Sequence, residues 1–421
     1  MNKQTLRFLA SITCSLSLTV SIFFLAGAQA SAQCPLPQLT SGLQIPLGLT
    51  QTDRGNLLVS ESGIFAPNTG RISIVDLHGQ RRTLLAGLPS GINDVNEPAG
   101  PAGLFLRGRT LYVAIGIGDS ILAGPFPGSA TGNPNPSSPL FSSILAIELS
   151  ERVERFTSGF NLTAADQQAL ASGERVRLSN GGSDTITIEL VANFPNFTPN
   201  PLPTLATNVR GSNPFDLVLV TNRNRDDDHR SRDDGDDDGD RCESELLYVT
   251  DGGQNLVWRV DIRSGGFSML AVFPPIPNPM FPAVGGPFMD AVPTGIAYSD
   301  GQLLVTLFRG VPFAPGTSVV QRVDPLTGNN SPFITGLKTA IDVLQLRRHH
   351  DTDYLVLQHS SAPGPFFGTP GRLVRFETPT DPPAVLADCL VRPTAMTLDE
   401  RSGRLYITEV AGRIVSLPIA P

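Results

Sequence analysis

The chain contains 421 residues, with 31 Lys and Arg against 39 Asp and Glu, and its formal net charge is −8 at pH 7. This acidic balance excludes nucleic acids and anionic lipids as expected partners, because they carry charge of the same sign. With 41 Gly, 37 Pro and a single Trp, the composition is typical of many short strands joined by tight turns.

The first 32 residues predict a cleaved secretory signal. Lys3 and Arg7 form its basic start, Phe8 to Ala26 its apolar core, and the small residues around Ala30 its cleavage site. The core contains several Ser and Thr and no comparable apolar run follows it, so we expect no membrane anchor after cleavage. The mature protein is therefore expected to be secreted or periplasmic.

The segment that begins at Pro35 resembles the fourth strand of a repeat found further along the chain, at Thr83 and again at Phe333. The last copy of that repeat stops after its third strand, at Arg413 to Ile419. We therefore expect the N-terminal strand to complete the last copy, which removes an open sheet edge.

Six copies of a strand pattern follow. The second strand begins at Asn56, Thr110, Leu246, Gln302, Asp353 and Arg404, and the third at Gly70, Ser142, Asn255, Ser318, Gly371 and Gly412. Asp-Gly and Pro-Gly turns separate the strands, as in antiparallel meanders. Four-stranded repeats of about 40 to 50 residues predict an all-β, six-bladed β-propeller, formed as a single domain over residues 33–421.

The second blade is predicted to carry two insertions, at residues 124–140 and 151–182. The first is a loop rich in Gly, Pro and Ser. In the second, Thr163 is a good N-cap, Ala164 to Ala171 a short helical run, and Gly173 its end. One short helix should therefore interrupt the all-β chain.

An acidic insertion at residues 223–242 separates the first and second strands of the third blade. One interpretation is a solvated, disordered loop. The other is a calcium loop, because the side chains match the spacing D-x-D-x-D-G-x5-E at Asp234, Asp236, Asp238, Gly239 and Glu245. Against it, Arg241 occupies a position that is usually apolar, and both interpretations stay open.

Three cysteines remain after signal cleavage, Cys34, Cys242 and Cys389. They allow at most one intramolecular disulfide and leave one thiol over, and their spacing does not identify the pair. None of them has the close spacing to another cysteine that zinc sites use, so a cysteine metal site is not expected.

The strand order of a propeller brings the beginning of each first strand and the end of each second strand to one face, around the central channel. Carboxylates occupy these positions at Asp216 and Asp342, and at Glu61, Asp251 and Glu409. One interpretation is a divalent metal site, because oxygen ligands suit Ca²⁺ or Mg²⁺. The other is that these acids accept hydrogen bonds from backbone amides at strand ends.

The loops on this same face are long and rich in Phe and Pro. They contribute Phe308, Phe313, Phe366 and Phe367, and His359 follows the second strand of the fifth blade. An aromatic rim over a polar floor predicts a binding site for a small-molecule or protein ligand, although these rings could instead only pack the loops together. His359 is the one histidine considered for acid/base chemistry, and no catalytic residue is predicted.

The runs VPTGIAY, LLVTLFRGVPFAPGTSVVQRVDP and FITGLKTAIDV, between Val292 and Val343, resemble the ScyD/ScyE family, as do SNPFDLV and LLYVTDGGQNLVWRVD from Ser212 onward. This family comprises secreted bacterial proteins related to six-bladed propellers of the NHL and SMP-30/gluconolactonase types. The resemblance implies the same fold and, for the founding members of the family, a link to scytonemin biosynthesis.

These observations are compatible with two functions. The favoured one is a secreted, monomeric binding or scaffold propeller of the ScyD/ScyE type, with its ligand on the loop-rich face over the central channel. The alternative is a metal-dependent lactonase or hydrolase of the SMP-30/gluconolactonase type, which would use Ca²⁺ or another divalent cation.

Overall fold

A computed structural model describes residues 34–155, 158–182, 184–222, 244–347, 352–368 and 370–419. The predicted secretory signal and the acidic insertion lie outside these residues. No helix in the described part of the chain is long and apolar enough to cross a membrane.

The strands form six main sheets, one for each predicted repeat, which confirms the six-bladed all-β propeller. Blade 1 contains β2 (Pro46–Gln51), β3 (Leu57–Glu61), β4 (Gly70–Val75) and β5 (Arg81–Leu88), and blade 2 contains β8 (Pro101–Arg107), β9 (Thr110–Ile115), β12 (Ser143–Leu149), β14 (Val176–Ser179) and β15 (Thr185–Asn193). Blade 3 contains β18 (Pro214–Asn222), β19 (Ser244–Asp251), β20 (Leu256–Asp261) and β21 (Phe267–Val272), and blade 4 contains β24 (Pro293–Ser299), β25 (Gln302–Leu307), β26 (Ser318–Val323) and β27 (Asn330–Leu337). Blade 5 contains β28 (Ala340–Arg347), β29 (Thr352–Gln358), β30 (Gly371–Phe376) and β31 (Ala384–Leu390), and blade 6 contains β32 (Pro393–Asp399), β33 (Arg404–Glu409), β34 (Arg413–Pro418) and β1 (Gln38–Ser41).

Four short two-stranded sheets lie in the connections between and within blades. They are β6 (Gly91–Ile92) with β7 (Pro98–Ala99), β10 (Ile121–Ala123) with β11 (Ala130–Gly132), β16 (Phe197–Pro199) with β17 (Val209–Gly211), and β22 (Ile276–Pro277) with β23 (Phe288–Met289). The first strands of successive blades contact one another in order, and β32 returns to β2, so the ring is closed around a central channel.

The core lies between neighbouring blades. Each of six buried apolar clusters joins two adjacent sheets; for example, Ala114 and Ile144 of blade 2 pack against Leu247 and Leu256 of blade 3. The second strands are buried on both faces, which explains their continuous apolar runs. Each fully buried Leu or Val contributes roughly 1.5–3 kcal/mol of transfer free energy, so the stacked blades stabilise one another.

The N-terminal strand completes the last blade, as predicted. β1 pairs antiparallel with β34, and Thr40 lies opposite Ile414. A disulfide joins Cys34 to Cys389 in β31 of blade 5, with the two Cα atoms 6.1 Å apart. This bond supplies the cysteine pairing that the sequence left open, and it attaches the first described residue to the neighbouring blade.

The insertion at residues 151–182 contains the predicted helix, α1 (Ala164–Ala171). Thr163 caps it and forms a capping box with Asp166, and Gly173 follows its end with a φ of 89°. The sequence did not predict that β13 (Phe160–Asn161) pairs in parallel with β5 of blade 1. The insertion therefore covers the outer edge of blade 1 as well as contributing β14 to blade 2.

Candidate functional site

A cavity of about 350 Å³ opens at the end of the channel where the second strands finish. Its walls come from the segments that precede the first strands and from the loops that follow the second strands. Its aromatic residues are Phe65, Phe215, Phe308 and Phe367, and its polar and charged residues are Asn93, Glu97, Asn213, Thr294, His359, Arg392 and Thr394.

Three of the five predicted ligand-binding residues line this cavity, Phe308, Phe367 and His359, and a fourth, Phe313, contacts two of them. Phe313 stacks on Phe367 with ring centroids 4.1 Å apart, and Phe308 lies 5.7 Å from both Phe367 and His359 in edge contacts. His359 also contacts Phe367, at 5.2 Å. The fifth residue, Phe366, is half exposed, and its backbone N–H donates to the carbonyl of Pro312. The structure therefore joins rings from blades 4 and 5 in one cluster.

His359 is buried in the cavity wall, and both of its ring nitrogens have partners. The Nδ1–H donates to the carbonyl of Pro393 over 2.9 Å, so Nε2 is free to accept the Nε–H of Arg392 over 3.0 Å. Burial, with a smaller effect from the positive charge of Arg392, lowers the pKa of His359 to about 4. His359 is therefore neutral at physiological pH and holds Arg392 in place.

Arg392 is a site residue that the sequence analysis missed. Its guanidinium carbon lies 5.4 Å from the ring centroid of Phe367, and its Nη2 lies 3.9 Å from Glu97 Oε1. The only signal in the sequence is position, since Arg392 directly precedes the Pro that begins a first strand, as Ile45 and Val292 do in other blades.

Lys338 is the second site residue that the sequence did not reveal. Its ammonium group donates to the carbonyls of Ala362 and Gly364, both at 2.6 Å, and of Phe366 at 3.1 Å. The side chain is buried, and this burial lowers the pKa of Lys338. Three carbonyls from one loop thus satisfy the three N–H groups of one cation, which fixes the loop that carries Phe367.

Two of the predicted channel carboxylates, Glu61 and Glu409, hold the connections into their own blades. Glu61 accepts the backbone N–H of Gln44 and pairs with Arg71, whose Nη2 lies 2.6 Å away. Glu409 accepts the backbone N–H of Val391 over 2.7 Å. Both carboxylates are fully buried. For these two residues the structure favours the second interpretation, in which acids bond to backbone amides at strand ends.

Asp251 likewise holds the connection into its own blade, blade 3. Its Oδ1 accepts backbone N–H groups of Asn213 over 2.7 Å and Gln254 over 2.9 Å, and its Oδ2 accepts Ser212 Oγ–H and Trp258 Nε1–H. Burial raises the pKa of Asp251, and these hydrogen bonds oppose that rise. Its acceptor positions are used within the blade.

Asp216 and Asp342 lie deeper, along a narrow channel cavity of about 270 Å³. Each reaches the next blade, since Asp216 accepts the N–H of Ile296 over 3.0 Å and Asp342 that of Met396 over 2.8 Å. Burial raises the pKa of Asp342 to about 7. Burial and the negative charge of Asp342 also raise the pKa of Asp216. At neutral pH the pair therefore retains a proton.

The five channel acids are not gathered into one cluster of metal ligands. Within the described ranges, no three His, Cys, Asp or Glu side chains are arranged to hold a metal ion. Glu61, Asp251 and Glu409 are saturated by donors of the protein, whereas Ca²⁺ needs six to eight oxygen ligands. These three residues therefore do not supply ligands for a divalent cation, which leaves Asp216 and Asp342 as the candidate ligands among the five.

Most of the predicted calcium loop lies outside the residues that the structure describes. Asp234, Asp236 and Asp238 lie outside the described residues. Glu245, the last residue of the pattern, is the second residue of β19 and forms an ion pair with Arg107 of blade 2. The calcium interpretation of this loop stays a prediction.

No protein-family model and no curated protein matches the sequence. Among solved structures, virginiamycin B lyase from Staphylococcus aureus is similar at 15% identity and a TM-score of 0.44, covering 92% of this chain and 99% of that one. A gluconolactonase from Xanthomonas campestris shows 12% identity and a TM-score of 0.46, with coverages of 91% and 89%. A putative glucose dehydrogenase from Thermus thermophilus shows 12% identity and a TM-score of 0.42, with coverages of 91% and 99%. Similarity at this level carries no information on activity.

Proposed function

We propose that this protein is an exported, monomeric binding propeller that holds a small, largely apolar molecule in the cavity at the loop-rich mouth of the channel. The observation that supports this most is that Phe308, Phe367 and His359 line one cavity and contact one another, with Phe313 stacked on Phe367. Apolar walls with a few fixed polar groups are the usual composition of ligand sites.

The rigidity of the cavity wall supports the same proposal. Phe367 is 39% exposed, although it is held between neighbouring rings and its loop is fixed by Lys338. An exposed aromatic ring in a fixed position leaves apolar surface for a ligand to cover, and little conformational entropy is lost when the ligand binds.

Export and the more specific ScyD/ScyE type of scaffold function belong to this proposal. They rest on the signal-like first 32 residues and on the resemblance of the third and fourth blades. The disulfide between Cys34 and Cys389 agrees with export, because such bonds persist in oxidising compartments.

Two phenylalanines of equal exposure provide the test. Phe367 is 39% exposed in the cavity, and Phe267 is 40% exposed on the outer strand β21. We expect Phe367→Ala to weaken the binding of small aromatic compounds about 10-fold or more, because the ligand loses an aromatic contact that it buries on binding. Phe267→Ala should leave their binding unchanged. Isothermal titration calorimetry over a panel of small aromatic compounds measures both. Equal effects of the two substitutions, or no binding by any compound, would contradict the proposal.

The alternative, a metal-dependent lactonase or hydrolase, has one observation in its favour. Asp216 and Asp342 are two interacting carboxyl groups in the channel below the cavity. Metal analysis of the purified protein and a panel of lactones and esters test this alternative. Turnover that a chelator abolishes, together with stoichiometric metal, would replace the binding proposal.

A further inference from the structure

Arg392 gives the cavity its one positively charged side chain among the described lining residues. Two contacts fix its guanidinium: the Nε–H donates to neutral His359, and the guanidinium carbon lies 5.4 Å from the ring centroid of Phe367, on which Phe313 also stacks. A guanidinium that is held by an aromatic ring and by its Nε–H keeps its Nη groups available in a defined orientation.

Glu97 does not form a hydrogen bond with the Nη groups of Arg392. The closest approach of its carboxylate to Arg392 is 3.9 Å, and the two side chains are 59% and 39% exposed. Exposed ion pairs of this length contribute little to stability, because water screens them. A planar carboxylate from a ligand, which forms two parallel N–H···O bonds with a guanidinium, would bind Arg392 more strongly than Glu97 does.

We propose that the ligand of this cavity is an aromatic or alicyclic carboxylate, whose acid group binds Arg392 while its ring packs among Phe65, Phe215 and Phe308. This inference rests on the proposed binding function and specifies its ligand class. The cavity volume of about 350 Å³ lies at the lower end of ligand pockets, which span roughly 300–1,000 Å³, and suits a bicyclic ring with one small polar group.

Three probes separate the acid group from the ring. 2-Naphthoate carries both, 2-naphthamide has the same ring and no charge, and acetate has the charge and no ring. We expect the wild-type protein to prefer 2-naphthoate to 2-naphthamide, and to bind acetate far more weakly, when each is measured by isothermal titration calorimetry.

Substitutions at the two charged residues then test the contact. Arg392→Gln should weaken the binding of 2-naphthoate on the order of 10- to 100-fold, because hydrogen bonds to a charged group are lost. The same substitution should change the binding of 2-naphthamide by less than about 3-fold. Glu97→Gln should tighten 2-naphthoate, because it removes a negative charge beside the bound acid. Arg175→Gln is the matched control, since Arg175 is 74% exposed and pairs with Glu189 away from the cavity.

The outcomes separate this inference from the proposed function. If 2-naphthamide binds as tightly as 2-naphthoate, or if Arg392→Gln weakens both equally, the acid contact is wrong and cavity binding stands. If neither naphthyl probe binds, the ligand class is wrong, and the comparison of Phe367 with Phe267 decides the proposed function separately. Glu97→Gln keeps the test valid if Arg392→Gln perturbs folding, because Glu97 is an exposed side chain; failure to tighten 2-naphthoate would also contradict the inference.

Discussion

At the residue scale, the rim of the channel depends on backbone positions that most side chains avoid. In four blades the residue directly before the first strand adopts a positive φ: Ile45 (50°), Val292 (52°), Thr339 (43°) and Arg392 (51°). A side-chain-bearing residue in this left-handed region costs about 1–3 kcal/mol. Hydrogen bonds must offset this cost, and three of the four residues line or adjoin the candidate site.

The acids and amides at the ends of the second strands supply those hydrogen bonds. In three blades a terminal side chain accepts the N–H of the residue just before the left-handed one: Gln44 to Glu61, Lys338 to Gln358, and Val391 to Glu409. A polar residue at this position is therefore explained by backbone support. In blade 6 that support also positions Arg392.

The pair of channel acids leads to a prediction of pH dependence. The pKa of Asp342 is about 7 in the folded protein against an ordinary value of 3.8, so the folded state keeps a proton that the unfolded state loses between these pH values. Asp342 therefore lowers stability as pH rises from about 4 to about 7. We expect the free energy of unfolding of Asp342→Asn, relative to wild type, to increase over this window by on the order of 4 kcal/mol, because the substitution removes this charge and also its effect on the pKa of Asp216.

Denaturant unfolding at a series of pH values measures this difference. His359 acts in the opposite direction, because its folded pKa of about 4 lies below the ordinary 6.5 and stability is lost as pH falls through that range. The contribution of His359 to stability is the same in wild type and in Asp342→Asn, so it cancels from the difference between the two profiles. Asp300→Asn, at a carboxylate that is 61% exposed, serves as control and should leave the pH profile unchanged. Parallel profiles for Asp342→Asn and wild type would show the prediction to be wrong.

At the scale of elements, the loop at residues 361–368 is fixed by one cation. Lys338 is the only lysine after Lys3 in the sequence, and its ammonium contacts three carbonyls of this loop. A buried cation is costly unless it is fully hydrogen-bonded, and here every N–H has an acceptor. The loop conformation and the charge of Lys338 therefore depend on each other.

We predict that Lys338→Met releases this loop. The substitution leaves buried carbonyls without donors, which costs about 1–3 kcal/mol for each group that water cannot reach. Hydrogen exchange should become faster in residues 361–368, and aromatic probes should bind more weakly, while exchange in β2 and β3 of the distant blade 1 stays as in wild type. Restoration of binding to Lys338→Ala by added propylammonium would support the role of the cation. Unchanged protection of the loop in Lys338→Met would rule it out.

At the scale of the whole molecule, the ring is closed twice at its N-terminus. β1 supplies the fourth strand of blade 6, and the disulfide from Cys34 to Cys389 spans 355 residues of sequence. A cross-link over such a long loop restricts the unfolded chain strongly, and removal of native disulfides typically costs about 2–5 kcal/mol.

We therefore expect the double substitution Cys34→Ser and Cys389→Ser to lower the free energy of unfolding by about 2–5 kcal/mol. Cys242→Ser is the matched control, because the third cysteine takes no part in this bond, and it should unfold like wild type. Guanidinium unfolding monitored by circular dichroism compares the three proteins. The same midpoint for the double variant and wild type would mean that β1 alone secures the closure.

The repeat, and with it the fold, could be predicted from the sequence. Turn residues and short apolar runs are local signals, so they predicted six blades, the closing strand from Pro35, and α1 with its cap at Thr163. The comparison of the six repeats also placed Phe308, Phe313 and Phe367 on one face, because the strand order of a propeller fixes which loops are neighbours.

Which polar groups already have hydrogen-bond partners, and which are available to a ligand, could be seen only in the folded arrangement of the blades. Glu61 and Arg392 both stand at the channel rim, yet the backbone N–H of Gln44 and the side chains of Arg71 and Ser73 occupy the oxygens of Glu61. Arg392 keeps its Nη groups available, because His359 accepts only its Nε–H. The contacts of Lys338 with a loop more than 20 residues further along the chain, and the choice of Cys389 as the partner of Cys34, are equally non-local. Such pairings depend on how separate blades and loops meet in space, and no spacing in the sequence records them.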